Sequence, residues 1–207
     1  MHKELEYVQG IYNVRKETIR NFFSSINSKS DEYVFGELIF CILTPQARAK
    51  SCREVISRLK EGHKLFAISK EELQEIIKNV RFSEKKLEYI MKAKEMWPEI
   101  KDSLRNVRDI HELREWLAEN VMGFGMKEAT HFLRNIGIGF GDLAILDVHV
   151  QNFMKKLGVS EWKTLNKKTY LVLEKQFLEI AKESGIPTEE FDVAIWLYQS
   201  GEREFYG

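Results

Sequence analysis

Val121-Met-Gly-Phe-Gly-Met-Lys127-Glu-Ala-Thr130 joins two stretches of helical periodicity through a glycine-spaced turn, and Leu146-Asp147-Val148-His149 places an aspartate twenty residues beyond its lysine. A helix over 109–120, the turn Met122-Gly-Phe-Gly125 and a helix from Met126 make a helix-hairpin-helix pattern. Gly123 and Gly125 allow positive φ and a close backbone approach to a phosphate, and a helix start aims N–H groups at such an anion. Taken alone, the two glycines are better explained as an ordinary helix-to-helix turn. Lys127 adds a second signal. It sits where the positive end of the helix dipole disfavours an ammonium, and with partial burial that setting favours the neutral amine a nucleophile needs. Asp147 reads first as the N-cap of the helix that follows it. One carboxylate oxygen can cap while the other stabilises positive charge developing on a sugar. Asp142, five residues earlier, is the rival carboxylate, in a loop after Gly141.

Outward from this segment the periodicity is helical, as in Leu87, Ile90, Met91 and Trp97, then Ala129, Phe132, Leu133 and Ile136, then Val150, Phe153, Met154 and Leu157. Helices are predicted over 3–27, 32–43, 47–61, 70–79, 84–101, 109–120, 126–136, 148–157, 167–184 and 189–199, with Ser69 and Glu72 as a capping box. The fold class is all-α. Residues 1–207 are expected to form one functional unit of two helical lobes, 30–136 and 1–29 plus 140–207, with a cleft between them beside Gly137-Ile-Gly-Phe-Gly141.

Thirty-two basic residues balance thirty-two acidic ones, so no global field draws the chain to nucleic acid and any DNA site must be local. Cys41 and Cys52 lie in apolar helical stretches without metal-type clustering, which argues against a disulfide framework or an iron–sulfur cluster and for a reducing cytoplasm. The first residues are charged, and no apolar run approaches the roughly 20 residues a membrane span needs. The expectation is a soluble monomer without a signal peptide.

The run Val121 to Ala129 together with Leu146-Asp147-Val148-His149 resembles the helix-hairpin-helix DNA glycosylase superfamily, whose members pair a hairpin lysine with a downstream aspartate. Leu43-Thr-Pro-Gln46-Ala resembles its DNA-intercalating loop. Asn79-Val-Arg-Phe82 and Trp196-Leu-Tyr-Gln-Ser-Gly201 resemble the archaeal-type 8-oxoguanine DNA glycosylase/AP lyase family. Two departures stand out: the loop before Asp147 has glycines but no proline, and the chain ends in Gly207 where that family ends in lysine. The resemblance implies Lys127 and Asp147 as the catalytic pair and Phe82, Trp196 and Gly207 around the damaged base. It also implies Gln46 filling the vacated stack, Arg81 reading the orphaned cytosine, and Gly123 and Gly125 on the backbone. From the residues alone, Phe82 and Trp196 are equally core aromatics and Arg81 a surface side chain. The partner implied is double-stranded DNA containing oxidised guanine, in the cytoplasm and nucleoid-associated through that DNA. No membrane, metal or cofactor is implied, and a monovalent cation on the hairpin carbonyls is left open. The alternatives are a glycosylase/lyase for another damaged base and a non-catalytic DNA-binding module.

Overall fold

A computed structural model describes residues 3–61, 65–159 and 165–201, which form eleven helices and no strand. They are α1 (Lys3–Ser24), α2 (Asp31–Leu43), α3 (Ala49–Glu61), α4 (Lys70–Ile77), α5 (Ser83–Glu95), α6 (Trp97–Asn106), α7 (Ile110–Asn120), α8 (Met126–Asn135), α9 (Val148–Lys156), α10 (Lys167–Ser184) and α11 (Thr188–Ser200). The chain divides into two compact units, one holding residues 27–136 and the other 3–26 with 137–201.

In the unit 27–136, α2 is the central element. Every residue from Val34 to Leu43 is buried, as an all-round apolar helix must be, and α3, α5 and α8 pack on it. Glu37 is the polar exception in this run. Its carboxylate accepts both terminal nitrogens of Arg53, the second at 3.0 Å, and the Asn135 side-chain amide at 2.8 Å, which ties α2 to α3 and α8. Removing one partner of a buried ion pair costs about 3–5 kcal/mol. Arg53 is partly exposed and can turn to water, so Glu37→Ala should lie at the low end, about 3 kcal/mol in urea unfolding. An unchanged midpoint would deny the network any structural weight.

The capping box at α4 forms as the sequence predicts, with Glu72 N–H donating to Ser69 Oγ and Ser69 N–H to Glu72 Oε2, both at 3.2 Å. The helix predicted over 84–101 does not form as one piece. It breaks at Met96 into α5 and α6, because Pro98 has no N–H to continue the ladder and is tolerated only in a first turn. Trp97, the first residue of α6, packs against Phe35 and Phe66, with ring centroids at 5.0 and 5.7 Å.

In the other unit, α11 carries the buried Phe191, Val193, Ala194, Ile195 and Leu197 and packs against α1, α9 and α10. Phe191 gathers Phe153 of α9 and Phe177 of α10, at 5.8 and 5.3 Å. Glu190 accepts the Tyr12 hydroxyl and the Arg20 guanidinium, fixing α1 to α11 across most of the sequence. Gly137, Gly139 and Gly141 all take positive φ (79°, 80° and 84°), so glycines supply the bend without a proline. No helix among the described residues is long and apolar enough to cross a membrane.

Candidate active site

The hairpin is built from α7, the turn 121–125 and α8. Val121 N–H closes on Leu117 at 3.0 Å and Phe124 N–H on Val121 at 3.0 Å, so the chain reverses within one turn. Gly123 takes φ +87°, and a Cβ placed there would stand 2.5 Å from Cδ2 of Tyr89 on α5. Its missing side chain therefore makes room for a ring as well as for the left-handed backbone. Gly123→Ala should cost roughly 2–4 kcal/mol from conformation and overpacking together, read as a fall in the urea midpoint. Unaltered stability would mean that the Tyr89 ring yields freely.

Gly125 corrects an expectation. Its φ of −124° and ψ of −169° are extended backbone open to any residue, so positive φ is needed at Gly123 alone. The Gly125 N–H donates to Glu128 Oε2 at 3.2 Å, half of a capping box that glycine has no side chain to complete. The first main-chain bond of α8 runs from Ala129 N–H to Gly125 O at 3.0 Å, which leaves the amides of Met126, Lys127 and Glu128 ahead of the ladder. Lys127 is the second residue of this helix. Its side chain is 26% exposed and its Nζ lies 2.8 Å from Glu128 Oε1. Glu128 thus serves the turn with one oxygen and the lysine with the other. The sequence reading overlooked that role because Glu at the third helical position is common.

Gln46 and Phe82 are the two non-glycine residues with positive φ among those described, at 55° and 59°. Such conformations cost of order 1–3 kcal/mol each and concentrate where function demands them. The family resemblance implies Gln46 in the vacated stack and Phe82 beside the damaged base. Gln46 is exposed, between Pro45 and Ala47 in the turn after α2. Phe82 is 51% exposed, so it is not a core aromatic, and the Arg81 guanidinium lies 4.8 Å from its ring centroid. Arg81 itself is exposed.

Asp147 stands in the other unit as the N-cap of α9, one carboxylate oxygen accepting Val150 N–H at 2.9 Å. It is half-buried, whereas its rival Asp142 is exposed. The segment Leu143–Leu146 before it is buried yet non-helical, so its main-chain groups need side-chain partners. Glu174 accepts Ala144 N–H at 2.9 Å, Tyr170 donates to Ala144 O at 2.7 Å, and Gln151 donates to Leu146 O at 2.8 Å. Tyr170 and Glu174 lie one turn apart on α10, and neither drew notice in the sequence because both sit in an ordinary amphipathic pattern. Trp196 is half-buried rather than core, its ring edge-on to His149 at 6.2 Å, two residues beyond Asp147. Gly207 lies outside the described residues.

Each unit therefore gathers its own set: Gln46, Arg81, Phe82, the hairpin and Lys127 in one, Asp147, His149 and Trp196 in the other. No cluster of three or more His, Cys, Asp or Glu side chains that could hold a metal occurs among the described residues. Cys41 and Cys52 are buried and free, and burial pushes the Cys52 thiol up to about 11.

A hairpin joining α7 to α8, in a chain whose described residues form eleven helices and no strand, defines the helix-hairpin-helix class of all-α proteins. Residues 15–186 match the family described as 8-oxoguanine DNA glycosylase. An 8-oxoguanine DNA glycosylase/AP lyase of Korarchaeum cryptofilum is 37% identical over 177 residues, covering 84% of this chain and 83% of the relative. The crystal structure of the Methanocaldococcus jannaschii 8-oxoguanine glycosylase/lyase in complex with 15mer DNA containing 8-oxoguanine superposes with a TM-score of 0.85 at 32% identity, over 96% of this chain and 97% of that one. The 8-oxoguanine DNA glycosylase of Thermotoga maritima does so with a TM-score of 0.85 at 30% identity, over 97% and 98%. The chain belongs to the 8-oxoguanine DNA glycosylase family.

Proposed function

We propose that this protein removes 8-oxoguanine from double-stranded DNA and then cuts the strand at the abasic site it has made. The 207 residues act as one monomeric unit in the cytoplasm, the lobe 30–136 supplying the hairpin lysine and the terminal lobe the aspartate. The glycosidic carbon is inaccessible inside the stack, so the damaged nucleotide is flipped out at a cost of a few kcal/mol. Gln46 fills the gap, Arg81 meets the orphaned cytosine, and the amides at the start of α8 with the Gly123–Gly125 backbone hold a phosphate. Phe82 and Trp196 hold the flipped base between π-faces, with the carboxyl end at Gly207 beside it. Stacking of this kind contributes about 1–3 kcal/mol per base.

In the chemical step the Lys127 lone pair forms a bond to C1′ as the C1′–N9 bond breaks, its electron pair leaving with the base, which takes up a proton. The Asp147 oxygen not engaged by Val150 N–H stabilises the positive charge that builds on the sugar. Breaking C1′–O4′, with a proton to O4′, turns the lysine adduct into an iminium. That iminium acidifies C2′; loss of a C2′ proton expels the 3′ phosphate by cleaving C3′–O3′. No cofactor is needed for this sequence, and a monovalent cation on the hairpin carbonyls would serve phosphate binding only.

The observation that carries the reading is Lys127 itself, a partly exposed amine at the second position of the hairpin helix, in a chain of this family. Its test is borohydride reduction during turnover of a duplex with 8-oxoguanine opposite cytosine, which should leave protein covalently joined to DNA. Absence of an adduct with that duplex and with an abasic one would end the Schiff-base mechanism. Faster trapping on an oxidised pyrimidine or alkylated base would change the substrate and keep the chemistry.

A further inference from the structure

Lys86 joins the two strained residues of the unit 27–136. It is 4% exposed although it lies in the charged run Ser83-Glu-Lys-Lys86. Its Nζ donates to the carbonyls of Leu43 at 2.6 Å and Pro45 at 2.8 Å. Leu43 is the last residue of α2, where carbonyls have no helical partner and the dipole is negative, so the ammonium caps that helix. Pro45 immediately precedes Gln46, and the fixed carbonyl orients the peptide that leads into its left-handed conformation. The main chain of Lys86 closes the other end, its N–H donating to Phe82 O at 3.1 Å in the first turn of α5. One residue thus bonds to the carbonyl of Phe82 and to the carbonyl that precedes Gln46, the two non-glycine positions of positive φ among the described residues. Burial shifts its ammonium toward the neutral form; Cys52 opposes this, while the nearby charges of Arg81 and Lys127 add to it. What a lysine adds at this buried position, beyond the space an apolar side chain would fill, is its donors to the two carbonyls.

We infer that Lys86 is a positioning residue of base extrusion: it pegs the turn 44–48 to the start of α5, so that Gln46 is held ready to enter the stack while Phe82 is held ready to receive the base. The inference rests on the proposed role of Gln46. A preset wedge matters when a stacked, paired nucleotide must be displaced and is idle when the target sugar is already free. Lys86 touches no reacting atom, so bond chemistry on an unstacked abasic site should not need it.

The test compares single-turnover excision of 8-oxoguanine paired with cytosine in duplex DNA with borohydride trapping at an abasic site in single-stranded DNA. The proteins compared are the unmodified chain, Lys86→Met, Lys86→Arg and Gln46→Ala. Lys86→Met should slow duplex excision about 10- to 100-fold, the range expected when a wedge is misplaced by an ångström, and leave single-strand trapping unchanged. Lys86→Arg, which keeps the charge and the donors, should recover most of the duplex rate. Gln46→Ala should reproduce the split, and the double variant should be no worse than the more impaired single one. Equal loss on both substrates, or a split in Gln46→Ala that Lys86→Met lacks, would overturn the role of Lys86. No split in Gln46→Ala would instead overturn the wedge reading, and the positioning role with it. If Lys86→Met does not fold, Lys86→Gln, which retains a single neutral donor group, enters the same comparison.

Discussion

Lys127→Gln should bind an 8-oxoguanine duplex and yield no covalent adduct on borohydride reduction, with strand cleavage lost by on the order of a thousandfold or more. Gln preserves most of the side-chain length, so the fold has little reason to change. The pair with Glu128 is partly buried, but the glutamine amide can still donate to Glu128, so losing the charge removes about 1 kcal/mol. Withdrawing a cation from a helix start returns about 0.3–1 kcal/mol, so the two effects nearly cancel. Binding should stay within about tenfold, that is within about 1.4 kcal/mol, because the α8 amides proposed to hold a phosphate are main-chain groups. Borohydride trapping, a denaturing gel for strand scission and a binding isotherm on one preparation decide the matter. Full trapping by Lys127→Gln would show that another amine is the nucleophile. Lys86 is a poor substitute, since its Nζ is buried against two carbonyls.

The helices and the hairpin were legible in the sequence because each depends on local pattern: apolar spacing, capping residues and glycines at a reversal. What escaped depends on contacts far apart in the chain. Glu37 sits in an apolar run and reads as a misplaced charge until Arg53 and Asn135 close on it. Tyr89 gives no hint that its ring decides position 123. Pro98 did carry a local signal, and the apolar periodicity of 84–101 outweighed it in the reading although the missing N–H outweighs periodicity in the chain. The left-handed backbone of Gln46 and Phe82 had no sequence marker, since neither is glycine or asparagine. Those two positions drew attention through resemblance to a family, and the structure adds that their conformation is costly and that Lys86 bonds beside both. Lys127 and Asp147 were visible as residue types at a spacing. Their environments, Glu128 beside one and the Tyr170, Gln151 and Glu174 scaffold before the other, belong to the folded chain.

Asp147→Asn separates the two uses of one carboxylate. Asparagine caps a helix as well as aspartate does, so Val150 N–H keeps its acceptor and unfolding in urea should shift by less than about 0.5 kcal/mol. The negative charge is lost without a change of shape, and with it the proposed stabilisation of the positive sugar. Removing one preorganised group of this kind costs about 100- to 1000-fold in rate, or about 2.7–4 kcal/mol. Single-turnover release of 8-oxoguanine should therefore fall by that factor, while trapping at a preformed abasic site falls much less, because no glycosidic bond remains to be broken. Asp147→Ala should show the same kinetic loss plus about 1 kcal/mol of lost stability, as the cap goes too. A base-release rate that Asp147→Asn leaves intact would confine Asp147 to the helix start and require the charge on the sugar to be met by another carboxylate. Asp142 is the first to substitute in that case, being the next carboxylate along the same loop.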